Sequence, residues 1–282
     1  LKRVGIIFLF SILVFTGIGV GLIWLGRNAL HNSDIPIRDH LLEESNPQTV
    51  MVFFAHPDDE IAVGGTLLDL RNQGHDLVMI YLTKGEAGPT GGLVRQEELG
   101  PTRALEMKKV AGILGAKVLE MFDFPDSGLE NIPLDTLKSV ALEMIEKHIP
   151  DYVISYDSEI GLYGHPDHRM ASKAMQEVFL ERKNDPQFPV KKLFQVTLSS
   201  KQIEVAMKIA PGFQRNYPID TLHLPIPDFA VKTTPYFSTL VSMIDAHATQ
   251  QEVFSDLLPY REQIPEIVYS RIFDREYFWE VK

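Results

Sequence analysis

Two short stretches hold the residue types that could do chemistry. The first is Ala55-His56-Pro57-Asp58-Asp59-Glu60, an imidazole followed by three carboxylates. The second is Gly164-His165-Pro166-Asp167-His168. Each comes after an apolar run, Val50 to Phe54 for the first and Tyr152 to Tyr156 for the second. A buried strand that delivers so many acids to its tip needs a partner for them, because an uncompensated buried polar group costs about 2–7 kcal/mol. A bound cation is the economical partner. His56, Asp59 and His168 are the candidate metal ligands: two imidazoles and one carboxylate leave an open coordination position, as in catalytic rather than structural sites. Non-haem iron oxygenases use the same donor set, so the residues alone leave the metal and the reaction open. Asp58 adjoins a ligand on extended backbone, where successive side chains point apart, and is free to act as a base. One such stretch would be explained by a polar turn after a strand. Two of them, both after strands, argue for a site.

The elements that must position these groups alternate along the chain. Strands are predicted at Val50 to Phe54, Leu77 to Thr83, Val118 to Phe122, Tyr152 to Tyr156 and Leu193 to Leu198. Between them lie predicted helices at Ile61 to Gln73, Pro101 to Leu114, Leu134 to His148 and Arg169 to Arg182, with Gly74 and Gly115 as stops. Lys84 to Gly100, with five glycines and a proline, reads as a surface loop at the metal edge and is expected to form a lid. This order predicts an α/β fold, a Rossmann-like, mostly parallel sheet with helices on both faces. Ligands bind such sheets outside the carboxyl ends of the strands, where both stretches fall. Beyond residue 185 the periodicity weakens. Pro235 to His247 is helical, but the sequence assigns no topology to this last third.

The 282 residues carry a formal charge of −11 and no cysteine. Disulfides, thiolate ligands and a cysteine nucleophile are excluded. No basic stripe is available for nucleic acid, so none is expected as a partner. Val4 to Leu25 is 22 residues without a charge, about 33 Å as a helix, long enough for a hydrocarbon core of about 30 Å. It is longer than a signal-peptide core, and no Ala-x-Ala follows. The expectation is one transmembrane anchor at 4–25, a polar stalk at 28–46 and a single domain at 47–282. Lys2 and Arg3 lean the orientation towards a domain on the extracytoplasmic side of the membrane.

The two stretches resemble the signature motifs of the PIG-L/LmbE family of zinc-dependent N-acetylglucosaminyl deacetylases. Leu82 to Gly88, the Arg103 to Glu106 segment with Leu114-Gly115, and Phe124-Pro125-Asp126-Ser127-Gly128 extend the likeness. Ala246-His247-Ala248-Thr249-Gln250 resembles the family's His-x-Ser-Gln element with threonine for serine. The resemblance implies roles residue by residue. His56, Asp59 and His168 would hold Zn2+, with Fe2+ or another divalent metal as the alternative. Asp58 would be the general base. His165 would stabilise the oxyanion and, protonated beside Asp167, donate to the leaving amine. Tyr163 would assist at the oxyanion. Arg103, His247 and Gln250 would contact substrate. The implied reaction is removal of acetyl from an N-acetylglucosamine-containing glycoside or glycoconjugate, an N-acetylated amino sugar. The alternatives are an amidase acting on sugar–thiol conjugates, a membrane-anchored glycan-binding module without turnover, and an iron oxygenase. His31, His40, His75, His148 and His223 are read as surface or capping groups.

Overall fold

The structure is a computed structural model that describes residues 2–218 and 226–282, with the side chains of residues 2–15 and of Asp256 outside the described part. The chain begins with α1 (Lys2–Leu30), β1 (Ile37–Arg38), β2 (Thr49–Phe54), α2 (Gly64–Asn72) and β3 (Asp76–Tyr81). It continues through α3 (Gln96–Leu114), β4 (Val118–Met121), α4 (Leu134–His148), β5 (Tyr152–Tyr156), the short α5 (Gly161–Gly164) and α6 (Pro166–Arg182). Then come β6 (Lys192–Thr197), α7 (Ser200–Ile209), α8 (Pro211–Asn216), β7 (Phe229–Lys232), α9 (Phe237–Ala246), α10 (Gln251–Leu257), α11 (Glu266–Ile272) and β8 (Arg275–Glu280).

The strands form one mixed, mostly parallel sheet in the order β1-β7-β8-β6-β5-β2-β3-β4. Among the described residues β8 alone runs antiparallel to its neighbours. β2 is buried on both faces, and the alternation of its side chains builds two cores. Val50, Val52 and Phe54 pack with residues of α2, α3 and α9, while Met51 and Phe53 pack with α4 and α6. From β2 the chain winds one way to β3 and β4; β5 and β6 build the other way. The reversal between β2 and β5 is a topological switch point, where α/β sheets open a crevice at their carboxyl ends.

Three expectations change. Residues 28–46 are not a free stalk. His31 is buried, with Nδ1 2.8 Å from Tyr277 Oη and Nε2 2.7 Å from the Ile272 carbonyl. Arg27 pairs with Asp274 at 2.8 Å, Leu41 and Leu42 enter the core, and Ile37–Arg38 pairs parallel with Ala230–Val231. Burial holds the His31 pKa down at about 4. These partners lie more than 190 positions away in sequence, so local polarity hid them. His75 is likewise buried, its Nδ1 accepting from the Gln48 N–H; His223 lies outside the described residues. α3 starts at Gln96 rather than Pro101, because the Glu98 carboxylate caps the Arg95 N–H and begins the helix earlier. Gly100 is a packing glycine, not a loop marker: a Cβ there would lie 3.2 Å from Glu86 Cβ.

The expected membrane span, Val4 to Leu25, falls for its first twelve residues on side chains outside the described part. Among the described residues no helix is long and apolar enough to cross a membrane.

β8 closes the sheet and also reaches α2. Glu276 accepts the Gly65 and Thr66 N–H groups at 2.9 and 2.8 Å, donors that a helix start leaves free. Burial pushes its carboxyl from 4.5 up to about 7, against the lowering effect of those hydrogen bonds. The folded chain therefore holds this proton more tightly than the unfolded chain. Its contribution to stability is full below about pH 4.5 and is lost as pH rises through about 7. Over that window, the urea midpoint of the natural protein is expected to fall more steeply than that of Glu276→Gln; parallel slopes would remove Glu276 as the cause.

Candidate active site

β2 ends in a tightly determined turn. The Asp59 Oδ2 accepts the N–H groups of Ala55 and His56 at 3.1 and 2.8 Å, folding the carboxylate back onto the strand tip. Tyr156 Oη donates to the Asp59 carbonyl at 2.7 Å. Asp58 adopts φ 116°, in the left-handed half of backbone space that non-glycine residues avoid. Arg103 holds it there. The buried guanidinium pairs with Asp58 Oδ2 at 3.0 Å, donates to the Gly85 carbonyl at 2.8 Å, and donates to the Pro57 carbonyl. Surrounding bonds that over-determine a strained residue mark functional loops.

The second stretch is shaped the same way. The buried Asp157 carboxylate accepts the N–H groups of Ile160, Gly161 and Leu162 at 2.6, 3.1 and 3.0 Å. Gly164 sits at φ 100°, and a Cβ there would fall 2.0 Å from the Asn216 carbonyl oxygen, so only glycine fits. α6 then starts with His165 as its cap: the Asp167 N–H donates to His165 Nδ1 at 3.2 Å.

These turns bring His56, Asp59 and His168 together. His56 Nδ1 lies 3.1 Å from His168 Nε2, His168 Nε2 lies 2.9 Å from Asp59 Oδ1, and His56 Nδ1 lies 3.8 Å from Asp59 Oδ2. Donors about 2.0–2.2 Å from a tetrahedral ion stand at similar spacings. The outer ring nitrogens fix the tautomers, which we assign from their partners. His168 Nδ1 faces the Gly161 carbonyl at 3.1 Å, so its proton sits there. His56 Nε2 faces Asp126 Oδ1 at 3.0 Å and Asp167 Oδ2 at 3.2 Å, so its proton sits there. The two inner nitrogens are left with lone pairs aimed at each other and at a carboxylate. That arrangement fits a cation.

The acids around the triad favour positive charge in its midst. Burial opposes charge on His56, yet hydrogen bonds with Asp126, Asp167 and Asp59 outweigh it and raise its pKa well above the ordinary value. Burial would raise Asp59, but His168 and His56 hold it well below the carboxylate range. Asp58 is pushed by burial up to about 6, against Arg103, with the Asp59 charge adding to the rise.

The predicted site residues divide accordingly. His56, Asp58, Asp59, Tyr163, His165, Arg103 and Gln250 line one cavity of about 140 Å³. Two roles change. The Asp167 carboxylate does not orient His165. It meets His56 Nε2 and accepts the Ser127 and Leu129 N–H groups at 2.7 and 3.0 Å. His165 is not held protonated. Burial lowers its pKa to about 3, assisted by His168 and His56. Since Nδ1 accepts a backbone N–H, its ring proton sits on Nε2. His247, expected at the substrate, is fully buried away from the cavity lining, with Nε2 2.7 Å from Glu60 Oε1. Gln250 lines the cavity, but its amide donates to the Pro89 carbonyl and Thr249 Oγ1. The 84–95 segment is tied down rather than built as a lid: Gln96 donates to the Glu86 carbonyl at 2.7 Å, and the Asp126 N–H donates to Glu86 Oε1 at 2.9 Å. Sequence reading assigned no role to Asp126; its signal was a Pro-Asp-Ser-Gly turn directly after a strand.

Comparison with known proteins agrees with this geometry. Residues 51–179 match the family model described as PIG-L, GlcNAc-PI de-N-acetylase. The match spans a little under half of the chain. Asp58, His56, Asp59, His165, Asp167 and His168 all lie inside it; His247, Gln250 and β8 lie beyond it. The chain is 37% identical over 123 residues to the diacetylchitobiose deacetylase of Thermococcus kodakarensis, covering 43% of this chain and 45% of that one. It is 26% identical over 245 residues to the 1D-myo-inositol 2-acetamido-2-deoxy-alpha-D-glucopyranoside deacetylase of Thermobifida fusca, covering 74% and 85%. The chain spans about half the length of the curated relatives that it matches at more than 30% identity. The N,N'-diacetylchitobiose deacetylase of Pyrococcus horikoshii shares the fold, with a TM-score of 0.57 over 83% of this chain and 84% of that one, at 20% identity.

The clamp on the turn after β2 has a measurable weight. Arg103→Ala leaves Asp58 without its cation and two carbonyls without their donor, and is expected to cost about 3–5 kcal/mol in urea unfolding. Arg103→Lys keeps the charge but loses the fork and is expected to fall between the two.

Proposed function

We propose that this chain is a divalent-metal amide hydrolase that removes acetyl from N-acetylglucosamine-containing glycoconjugates, with zinc as the ion. The observation that carries the reading is the convergence of the His56, His168 and Asp59 donors beside Asp58. The named activities of the relatives supply the substrate class. A divalent cation held by that triad supplies Lewis acidity, making water a nucleophile at neutral pH and polarising an acetamide carbonyl. Asp58 faces the same cavity with a carboxyl near 6, suited to taking the water proton and passing it to the departing amine. His165 Nε2–H donates to the developing oxyanion. The Tyr163 hydroxyl, whose pKa burial raises well above the ordinary value, keeps its proton and can do the same. Asp126 and Asp167 keep the His56 proton on the outer nitrogen, and Glu60 with His247 supports the turn from below: the Glu60 Oε2 accepts from Tyr81 Oη and from the Asp58 N–H.

The uncharged run at 4–25 supports placing the chain at a membrane, and Lys2 and Arg3 before it favour a catalytic domain outside the cytoplasm. Retention of the full chain in the membrane fraction after a carbonate wash is the expected result; release with soluble proteins would contradict it.

Acetate release from N-acetylglucosaminides tests the reaction. Release is expected to stop with a chelator and return with zinc. Asp58→Asn is expected to lose about 10²–10⁴-fold in rate while still binding metal. Equal rates for the two proteins would remove Asp58 from the reaction, and chelator-insensitive release would remove the metal.

A further inference from the structure

Asp58 is held from two sides, by Arg103 in the cavity lining and by Glu60 outside it. The Pro57–Asp58 peptide is one planar unit, so its two polar ends turn together. Its carbonyl accepts from Arg103 Nη2, and its N–H donates to Glu60 Oε2 at 3.1 Å. Turning that peptide over would bring Asp58 to negative φ and release its strain. The turned carbonyl would then face the Glu60 carboxylate. Arg103 Nη2 would lose one of the two oxygens that aim it, the other being Asp58 Oδ2 at 3.0 Å. Glu60 therefore opposes the relaxation from the side away from the cavity.

Glu60 keeps that hold because other groups fix it in turn. It is fully buried. Tyr81 Oη of β3 donates to its Oε2 at 2.8 Å, and His247 Nε2 meets its Oε1 at 2.7 Å. An ionised carboxylate only accepts, so His247 Nε2 is the donor. His247 is itself pinned. The Gln250 N–H and the Gln251 side-chain amide both donate to its carbonyl at 3.0 Å. Two residues on, the Thr249 N–H and hydroxyl donate to the Glu106 carboxylate of α3 at 2.9 and 2.7 Å. A line of hydrogen bonds therefore runs from a turn beyond the matched residues 51–179, through Glu60, to the peptide that carries the base.

We propose that His247 is a positioning residue for the base: acting through Glu60, it locks the Pro57–Asp58 peptide, so that the chemical step depends on it while substrate binding does not. The kinetic part of this inference rests on the hydrolase reading; the lock on the peptide stands on its own geometry. Misplacing a reacting group by about 1 Å costs about 10²-fold in rate, so loss of the lock falls on kcat.

The test uses the zinc-loaded full chain and two readouts: acetate release from methyl N-acetylglucosaminide, and amide hydrogen exchange followed by mass spectrometry. His247→Leu removes the donor to Glu60, and His247→Gln keeps an N–H donor in its place. Tyr81→Phe removes the other side-chain donor and keeps the core filled. His247→Leu is expected to lower kcat about 10²-fold with KM unchanged, and to speed exchange in residues 55–63 but not in α4. His247→Gln is expected to restore most of the rate and of the protection. Tyr81→Phe is expected to move both readouts the same way by less, and it carries the test if His247→Leu does not fold. Unchanged kcat overturns the proposal. So does an equal loss in the Leu and Gln variants, or faster exchange throughout the chain, either of which would mark a purely structural role. A raised KM with kcat unchanged also overturns it and returns His247 to the substrate. If the natural protein releases no acetate, the hydrolase reading falls, and the local exchange response alone decides for or against the lock.

Discussion

Three lone pairs aimed at one point are the constraint on which the rest of the site depends. The inner nitrogens of His56 and His168 and the Asp59 carboxylate stand 2.9–3.8 Å apart, and when both rings are neutral the tautomers set by their outer partners leave no proton donor among them. Each outer partner is itself anchored. Asp167 is fixed by two backbone N–H groups, Asp126 by the Ala87 N–H, and the Gly161 carbonyl by a turn that Asp157 ties together. Orientation of a ligand through its second ring nitrogen is how a protein sets both geometry and basicity at a metal. Here that shell comes from β2, the turn after β4, and the turn after β5. The switch point of the sheet is where those three meet.

The strain in the two turns follows from the same demand. Asp58 at φ 116° places its carboxylate beside the triad instead of within it, and Arg103 holds the distortion. A carboxylate within the triad would be one more donor to any ion held there. The C-terminal third, which lies beyond the matched family residues, completes the support from behind: His247 under Glu60, Thr249 on Glu106, and Glu276 on the first turn of α2. Strand β8 therefore ties the C-terminal part of the chain to the first turn of α2, and β1 forms the sheet edge beyond β7.

What the sequence made legible was local and chemical. The His-Pro-Asp spacing, the apolar runs before it and the strand–helix alternation led to the parallel sheet and to the residues that gather at its edge. What it hid depends on distant partners. His31 reads as polar until Tyr277, 246 positions away, is beside it. Asp167 is a neighbour of His165 in sequence, yet its carboxylate turns to His56 because Ser127 and Leu129 pull it there. The protonation of His165 was misread for a related reason: proximity to an acid raises a histidine, but burial among two other imidazoles lowers it more. Gly100 and Pro101 carry the composition of a loop and lie in a helix, because a cap at Arg95 and close packing on Glu86 outweigh local propensity.

The most direct test of the converging lone pairs is a calorimetric titration of the chelator-stripped full chain with zinc, beside Asp59→Ala. The expected result is one ion per chain, bound tightly by the natural protein and lost in the variant. No saturable binding by the natural protein, or equal binding by the two, would contradict the account.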